Sequence, residues 1–127
     1  MKTLLIDAVS TLIIKDEGPN QEMIQMLNMF DNPKIVVTNA NEEEMKKFGI
    51  DSLPYEVFTL HHEPDKTDPE YFLRLFVAKN FSKDDVLYVE NNIDAVNAAL
   101  SIGIASYRYD PEKKDVQAVK KFLDENI

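Results

Sequence analysis

The stretch Leu4-Leu5-Ile6-Asp7-Ala8-Val9-Ser10-Thr11-Leu12 decides the fold. The short apolar run from Lys2 to Ile6 suits a strand buried on both faces, as in a parallel sheet. It delivers one carboxylate, Asp7, at the mouth of that sheet. Two residues on, where a second acid could work beside it, stands Val9.

Beyond this stretch, strand and helix signals alternate to the end of the chain. Met23, Met26, Leu27 and Phe30 recur at helical spacing, which predicts an amphipathic helix over 19–30 opened by Pro19. Met23, Met26 and Met29 read as core filling plus one exposed residue. Lys34 to Thr38 is a second strand. Asn41 followed by Glu42-Glu43-Glu44 is a capping-box start, and Gly49 ends that helix. Glu56 to Leu60 is a third strand. Asp68-Pro69-Glu70 starts a helix carrying Phe72, Leu75 and Phe76. Asp85 to Val89 is a fourth strand, followed by an Ala-rich helix over 93–102 with Gly103 as its stop. Ile104 to Tyr107 is a fifth strand, and Asp110-Pro111-Glu112 is predicted to cap a last helix bearing Val116, Val119, Phe122 and Leu123. This order predicts one α/β domain over 1–127, with a parallel sheet of about five strands between helical layers.

Composition excludes several classes. With 127 residues the chain can bury a core without staples. It has no cysteine, hence no disulfide, thiolate metal site or cysteine nucleophile. A net charge of −9 without a basic patch argues against nucleic-acid binding. No apolar run is long enough for a membrane span, and no signal-peptide layout opens the chain, so a cytoplasmic protein is expected.

In a parallel sheet, ligands bind beyond the carboxyl ends of the strands. The residues there suit phosphate chemistry. Asp7 is a candidate nucleophile. Thr38 and Asn39 offer hydroxyl and amide donors, and Lys66 offers a positive charge. Glu90 and Asp94 are candidates to join Asp7 around a hard cation such as Mg2+. Asp94 also reads as first-turn helix decoration. His61, His62, Glu63 and Asp65 form the chain's only histidine cluster, a candidate replacement base or metal ligand beside the site.

Four segments together resemble the haloacid dehalogenase superfamily, whose members are mostly aspartate-nucleophile phosphatases. They are Asp7-Ala8-Val9-Ser10-Thr11-Leu12, Val36-Val37-Thr38-Asn39, Lys66-Thr67-Asp68-Pro69-Glu70-Tyr71-Phe72, and Leu87-Tyr88-Val89-Glu90-Asn91-Asn92 with Ala98-Ala99 and Gly103 beyond. The resemblance covers nearly the whole chain in the family's motif order. It implies a three-layer α/β/α Rossmann-like fold with strand order 5-4-1-2-3. It also implies Asp7 as nucleophile and metal ligand, Lys66 as its catalytic partner, and Thr38, Asn39 and Lys66 as phosphate-binding residues. The metal would be held by Asp7, the backbone carbonyl of Val9, Glu90 and, weakly, Asn91.

The departures from the family pattern are as informative. Val9 replaces the acid that protonates the leaving group and activates water. Asn91 replaces a metal-binding Asp, and a neutral amide is a poorer Mg2+ ligand than a carboxylate. Between Asp7 and Thr38 there is room only for a short flap, about Ser10 to Gly18, and one helix, so no cap domain is expected.

The expected function is therefore a hydrolase-like protein of this superfamily whose phosphate-ester hydrolysis through Asp7 is weak or lost, with Mg2+ weakly held or absent. One alternative is a non-catalytic module that binds a phospho-ligand or a protein. Another is a metal-independent, dehalogenase-like hydrolase with an Asp nucleophile. The expected partners are a small phosphorylated molecule or a protein, with oligomerisation open.

Overall fold

The computed structural model describes residues 1–127. Five parallel strands form the sheet: β1 (Thr3–Asp7), β4 (Lys34–Thr38), β5 (Glu56–Thr59), β6 (Val86–Glu90) and β7 (Ala105–Arg108). Their order is β5-β4-β1-β6-β7, which is the predicted topology, with β1 at the centre. A two-stranded ribbon, β2 (Ile13–Ile14) and β3 (Gly18–Pro19), follows β1. The helices are α1 (Gln21–Leu27), α2 (Glu42–Lys47), α3 (Glu70–Lys79), α4 (Ile93–Ser101) and α5 (Val116–Asn126).

The period-2 geometry of the strands sorts their side chains into two cores. Leu4 and Ile6 of β1, Val36 of β4, and Leu87 and Val89 of β6 face one side. There they meet Met23, Met26 and Leu27 of α1 and Val116, Val119 and Leu123 of α5. Leu5, Ile35, Val37, Val86 and Tyr88 face the other side. They meet Tyr71, Phe72 and Leu75 of α3 and Ala98 and Ala99 of α4. All five residues of β1 are buried, as an apolar central strand requires.

Three local expectations need correction. Pro19 does not open α1; it pairs with Ile13 in the ribbon, and the helix starts behind Asn20, whose side chain accepts from the Met23 amide at 3.2 Å. That helix ends at Leu27, short of Phe30. Asp110 does not cap the last helix. Its carboxylate closes a turn onto the Glu112 amide at 2.9 Å, and the cap is Asp115, which accepts from Ala118 N. The apolar phase of α5 begins only at Val116, so residues 112–114 have no face to bury and stay exposed. Gly103, with φ of 87°, ends α4 where a Cβ would lie 2.8 Å from the Lys83 side chain. No helix is long and apolar enough to cross a membrane.

Candidate active site

The carboxyl ends of β1, β4 and β6 lie side by side, with Asp7 opposite Val37 and Ile6 opposite Val89. Asp7, Thr38 and Glu90 are the last residues of these three strands, so the topology alone gathers them. After β5 the chain turns through two consecutive left-handed residues, His61 (φ 53°) and His62 (φ 69°), before Lys66 enters the site. Asn39 fixes that entry, its side-chain oxygen accepting from the Lys66 amide at 2.8 Å.

Lys66 is buried, and its ammonium lies 2.5 Å from Asp7 Oδ1, 2.7 Å from Glu90 Oε1 and 3.2 Å from the Val37 carbonyl. Burial alone would lower its pKa. The charges of Asp7 and Glu90 and their hydrogen bonds outweigh burial and raise it, so Lys66 stays protonated.

Glu90 is 1 % exposed and fully engaged. Oε1 accepts from Lys66 and from the Tyr88 hydroxyl, and Oε2 accepts from the amides of Asn91 and Asn92, both at 3.1 Å. Burial, and then the charge of Asp7, push its pKa up to about 7, with Lys66 pulling the other way. A carboxyl raised in the folded state keeps its proton where the unfolded chain has already lost it. Folding stability should therefore fall as pH rises from 4.5 to about 7, by about 1–3 kcal/mol. Urea titrations across that window should find this slope, and Glu90→Gln should flatten it. An unchanged slope in the mutant would assign the effect to other groups.

Beyond β1 the chain winds into one tight turn. The Ala8 carbonyl accepts from the amides of Thr11, Leu12 and Ile13, and Ser10 is left-handed at φ 71°. This turn carries the Thr11 hydroxyl back to Asp7 Oδ2 at 3.1 Å. Asn91 comes from the opposite side. Its side-chain nitrogen donates to Asp7 Oδ2, to the Val9 carbonyl at 2.8 Å, and to Thr11 Oγ1 at 3.3 Å. Oδ2 and the Val9 carbonyl are pure acceptors, so only the amide's NH2 end can face both.

The metal expectation does not fit this donor set. The Asp7 oxygen and the Val9 carbonyl both face the Asn91 NH2 group. Glu90, expected as a ligand, is turned toward Lys66 with both oxygens engaged, and Asn91 presents nitrogen rather than oxygen. No group of three or more acidic, His or Cys side chains forms a metal cluster. Mg2+ takes oxygen ligands, and the two protein oxygens that converge here are already occupied by the amide's N–H donors.

Thr38 is buried at the cleft floor, its hydroxyl accepting from the Ala40 amide at 3.2 Å. Asn39, expected to bind phosphate, also lines the cleft, but its carbonyl end is committed to Lys66. Asp94 is exposed in the first turn of α4 and is not among the lining residues. His62 lines the rim. Its Nε2 is 2.8 Å from Glu44 and its Nδ1 is 3.6 Å from Asp65, and the Glu44 hydrogen bond raises its pKa. His61 is exposed outside this arrangement.

The cleft measures about 300 Å³ and is lined by Asp7, Glu44, Asp65 and Glu90 against Lys66 and His62. Its electrostatic balance is therefore acidic. Sequence reasoning missed the roles of Thr11 and Tyr88. Thr11 stands inside the quoted motif, and Tyr88 shares a strand face with Glu90 two residues on, the one signal that marked it.

The fold has solved relatives. A haloacid dehalogenase (HAD) family enzyme from Bacteroides thetaiotaomicron matches at TM-score 0.76 and 12% identity, covering 94% of this chain and 98% of that one. The same wild-type enzyme in complex with magnesium and inorganic phosphate matches at 0.71 and 13%, covering 87% and 95%. A predicted HAD-like family hydrolase from Porphyromonas gingivalis matches at 0.72 and 11%, covering 97% and 98%. No family model and no curated protein matches the chain. The fold is haloacid dehalogenase-like.

Proposed function

From this haloacid dehalogenase-like fold, we propose that the chain is a hydrolase-type protein in which Asp7 keeps the nucleophile's place while phosphate-ester turnover is weak or lost. The observation that carries this reading is the state of Asp7. Oδ1 is tied to Lys66, and Oδ2 to Asn91 and Thr11, with Val9 two residues on.

The chemistry follows from these contacts. Attack of an Asp7 oxygen on phosphorus would form an acyl-phosphate and expel an alkoxide, which needs a proton. Hydrolysis of that intermediate then needs a base to take a proton from water. Val9 can do neither, and losing such a group typically costs ~10²–10⁴-fold. The acidic lining compounds the defect, because a phosphate dianion entering the cleft meets Asp7, Glu44, Asp65 and Glu90 against Lys66 and His62. Lys66, already neutralised by Asp7 and Glu90, has little charge left to offer it. What these residues do well is hold one geometry, and the acidic lining favours a protein partner over a small phosphorylated molecule.

A second reading has one specific observation in its favour. Asp7 is oriented by Lys66, Thr11 and Asn91 with no cation needed, as a metal-independent Asp-nucleophile hydrolase acting on another bond would require.

Hydrolysis of a generic aryl phosphate, with and without Mg2+ and beside Asp7→Asn, tests the proposal. The expected result is at most a slow rate that depends on Asp7. A fast rate needing both Asp7 and Mg2+, undiminished by the missing acid at Val9, would overturn the proposal. A rate needing Asp7 alone would favour the second reading.

A further inference from the structure

We propose that the Asn91 side-chain amide stands in for the divalent cation of this site, making the Asp7 centre independent of metal, and that this one residue sets that property. The inference rests on Asp7 being the centre of the site, but it concerns cation binding rather than turnover.

The geometry is that of a small neutral donor placed between oxygens. The Asn91 NH2 group carries two N–H bonds. It meets Asp7 Oδ2, the Val9 carbonyl at 2.8 Å and Thr11 Oγ1 at 3.3 Å, drawing three oxygens from separate residues toward one nitrogen. A metal ion would organise Oδ2 and the Val9 carbonyl in the same way. The amide supplies partial positive charge through its protons and leaves neither acceptor unpaired.

The backbone of Asn91 is fixed on both sides, which sets the point from which its side chain reaches Asp7. Its N–H donates to Glu90 Oε2 at 3.1 Å, and its carbonyl accepts from Arg108 Nε at 2.8 Å. The next residue, Asn92, caps α4 through the Asp94 amide at 2.9 Å. Asn91 therefore sits between a strand end and a helix cap, with its side-chain contacts to Asp7, Val9 and Thr11 orienting the amide. For a cation to enter, the amide must give up its contacts with Asp7 Oδ2, the Val9 carbonyl and Thr11 Oγ1, and only one of those oxygens is charged. Asn91→Asp reverses both conditions at once. It removes the N–H donors and sets a second carboxylate beside Asp7 Oδ2 and the Val9 carbonyl, which is a hard-cation donor set.

The test is equilibrium binding of Mn2+, read by its electron paramagnetic resonance signal, with Mg2+ competition and melting temperature as second readouts. The wild-type chain should bind neither ion in the millimolar range and show no shift of melting temperature with Mg2+. Asn91→Asp should bind Mn2+ roughly tenfold or more tightly than wild type and be stabilised by Mg2+. If Asn91→Asp folds poorly because two carboxylates face each other, its recovery on adding Mg2+ is the same expected result. Wild-type binding as tight as the variant's overturns the inference. Binding by neither protein also overturns it, since Asn91 would then not occupy a place where a cation can sit. Wild-type Mn2+ binding without turnover would sink this inference and leave the proposed function standing. Fast Asp7-dependent turnover without cation binding would do the reverse.

Discussion

Val9→Asp combined with Asn91→Asp should give the chain a Mg2+-dependent aryl phosphatase activity ~10²–10⁴-fold above wild type. The two substitutions supply different missing parts. Asp at position 9 provides the group that protonates the leaving oxygen and then activates water. Asp at position 91 frees Asp7 Oδ2 and the Val9 carbonyl from the amide and adds the carboxylate that a hard cation needs. Each change alone should recover much less, because parts of one catalytic unit act non-additively. Adding Asp7→Asn to the double variant should remove the gain. A double variant that folds, binds Mg2+ and shows no activity would mean that Asp7 has lost the nucleophile's role for reasons outside these two positions.

Lys66→Met should destabilise the fold by about 3–5 kcal/mol at pH 8, because it leaves two buried carboxylates without their shared cation. Asp7 and Glu90 are 5 % and 1 % exposed, and Lys66 lies 2.5 Å and 2.7 Å from them. The loss should shrink toward pH 5. Glu90, already pushed up to about 7 by burial and by Asp7, can then take a proton and relieve the repulsion. Adding Glu90→Gln to Lys66→Met should recover part of the loss at pH 8 and little at pH 5. Denaturant titrations of the three proteins at the two pH values measure this. A loss in Lys66→Met that is the same at both pH values would show that lost packing, not unpaired charge, dominates.

The strand ends were legible because the physics that places them is local. An apolar run such as Leu4-Leu5-Ile6 must be buried on both faces, and a parallel sheet then brings Asp7, Thr38 and Glu90 to one edge. Lys66 could be read from its segment, and the structure sets it between both carboxylates. Side-chain orientation could not be read. Glu90 was expected to face a cation and instead faces Lys66 and two backbone amides. Asn91 was read as a poor ligand, yet it presents the opposite end of its amide. Both outcomes depend on which neighbours arrive from other strands, and sequence spacing does not encode that. The same limit explains Pro19 and Asp110. Each sits where a helix start is chemically acceptable, but pairing with Ile13 and closure onto the Glu112 amide were available alternatives.

The metal independence of the Asp7 centre is tested most directly by a crystal structure of the wild-type protein grown or soaked with Mg2+ and a phosphate mimic. The Asn91 side-chain nitrogen should lie within hydrogen-bonding distance of Asp7 Oδ2 and the Val9 carbonyl, with no cation between them. A Mg2+ ion coordinated by those two oxygens, with Asn91 turned away or offering its carbonyl end, would contradict that independence.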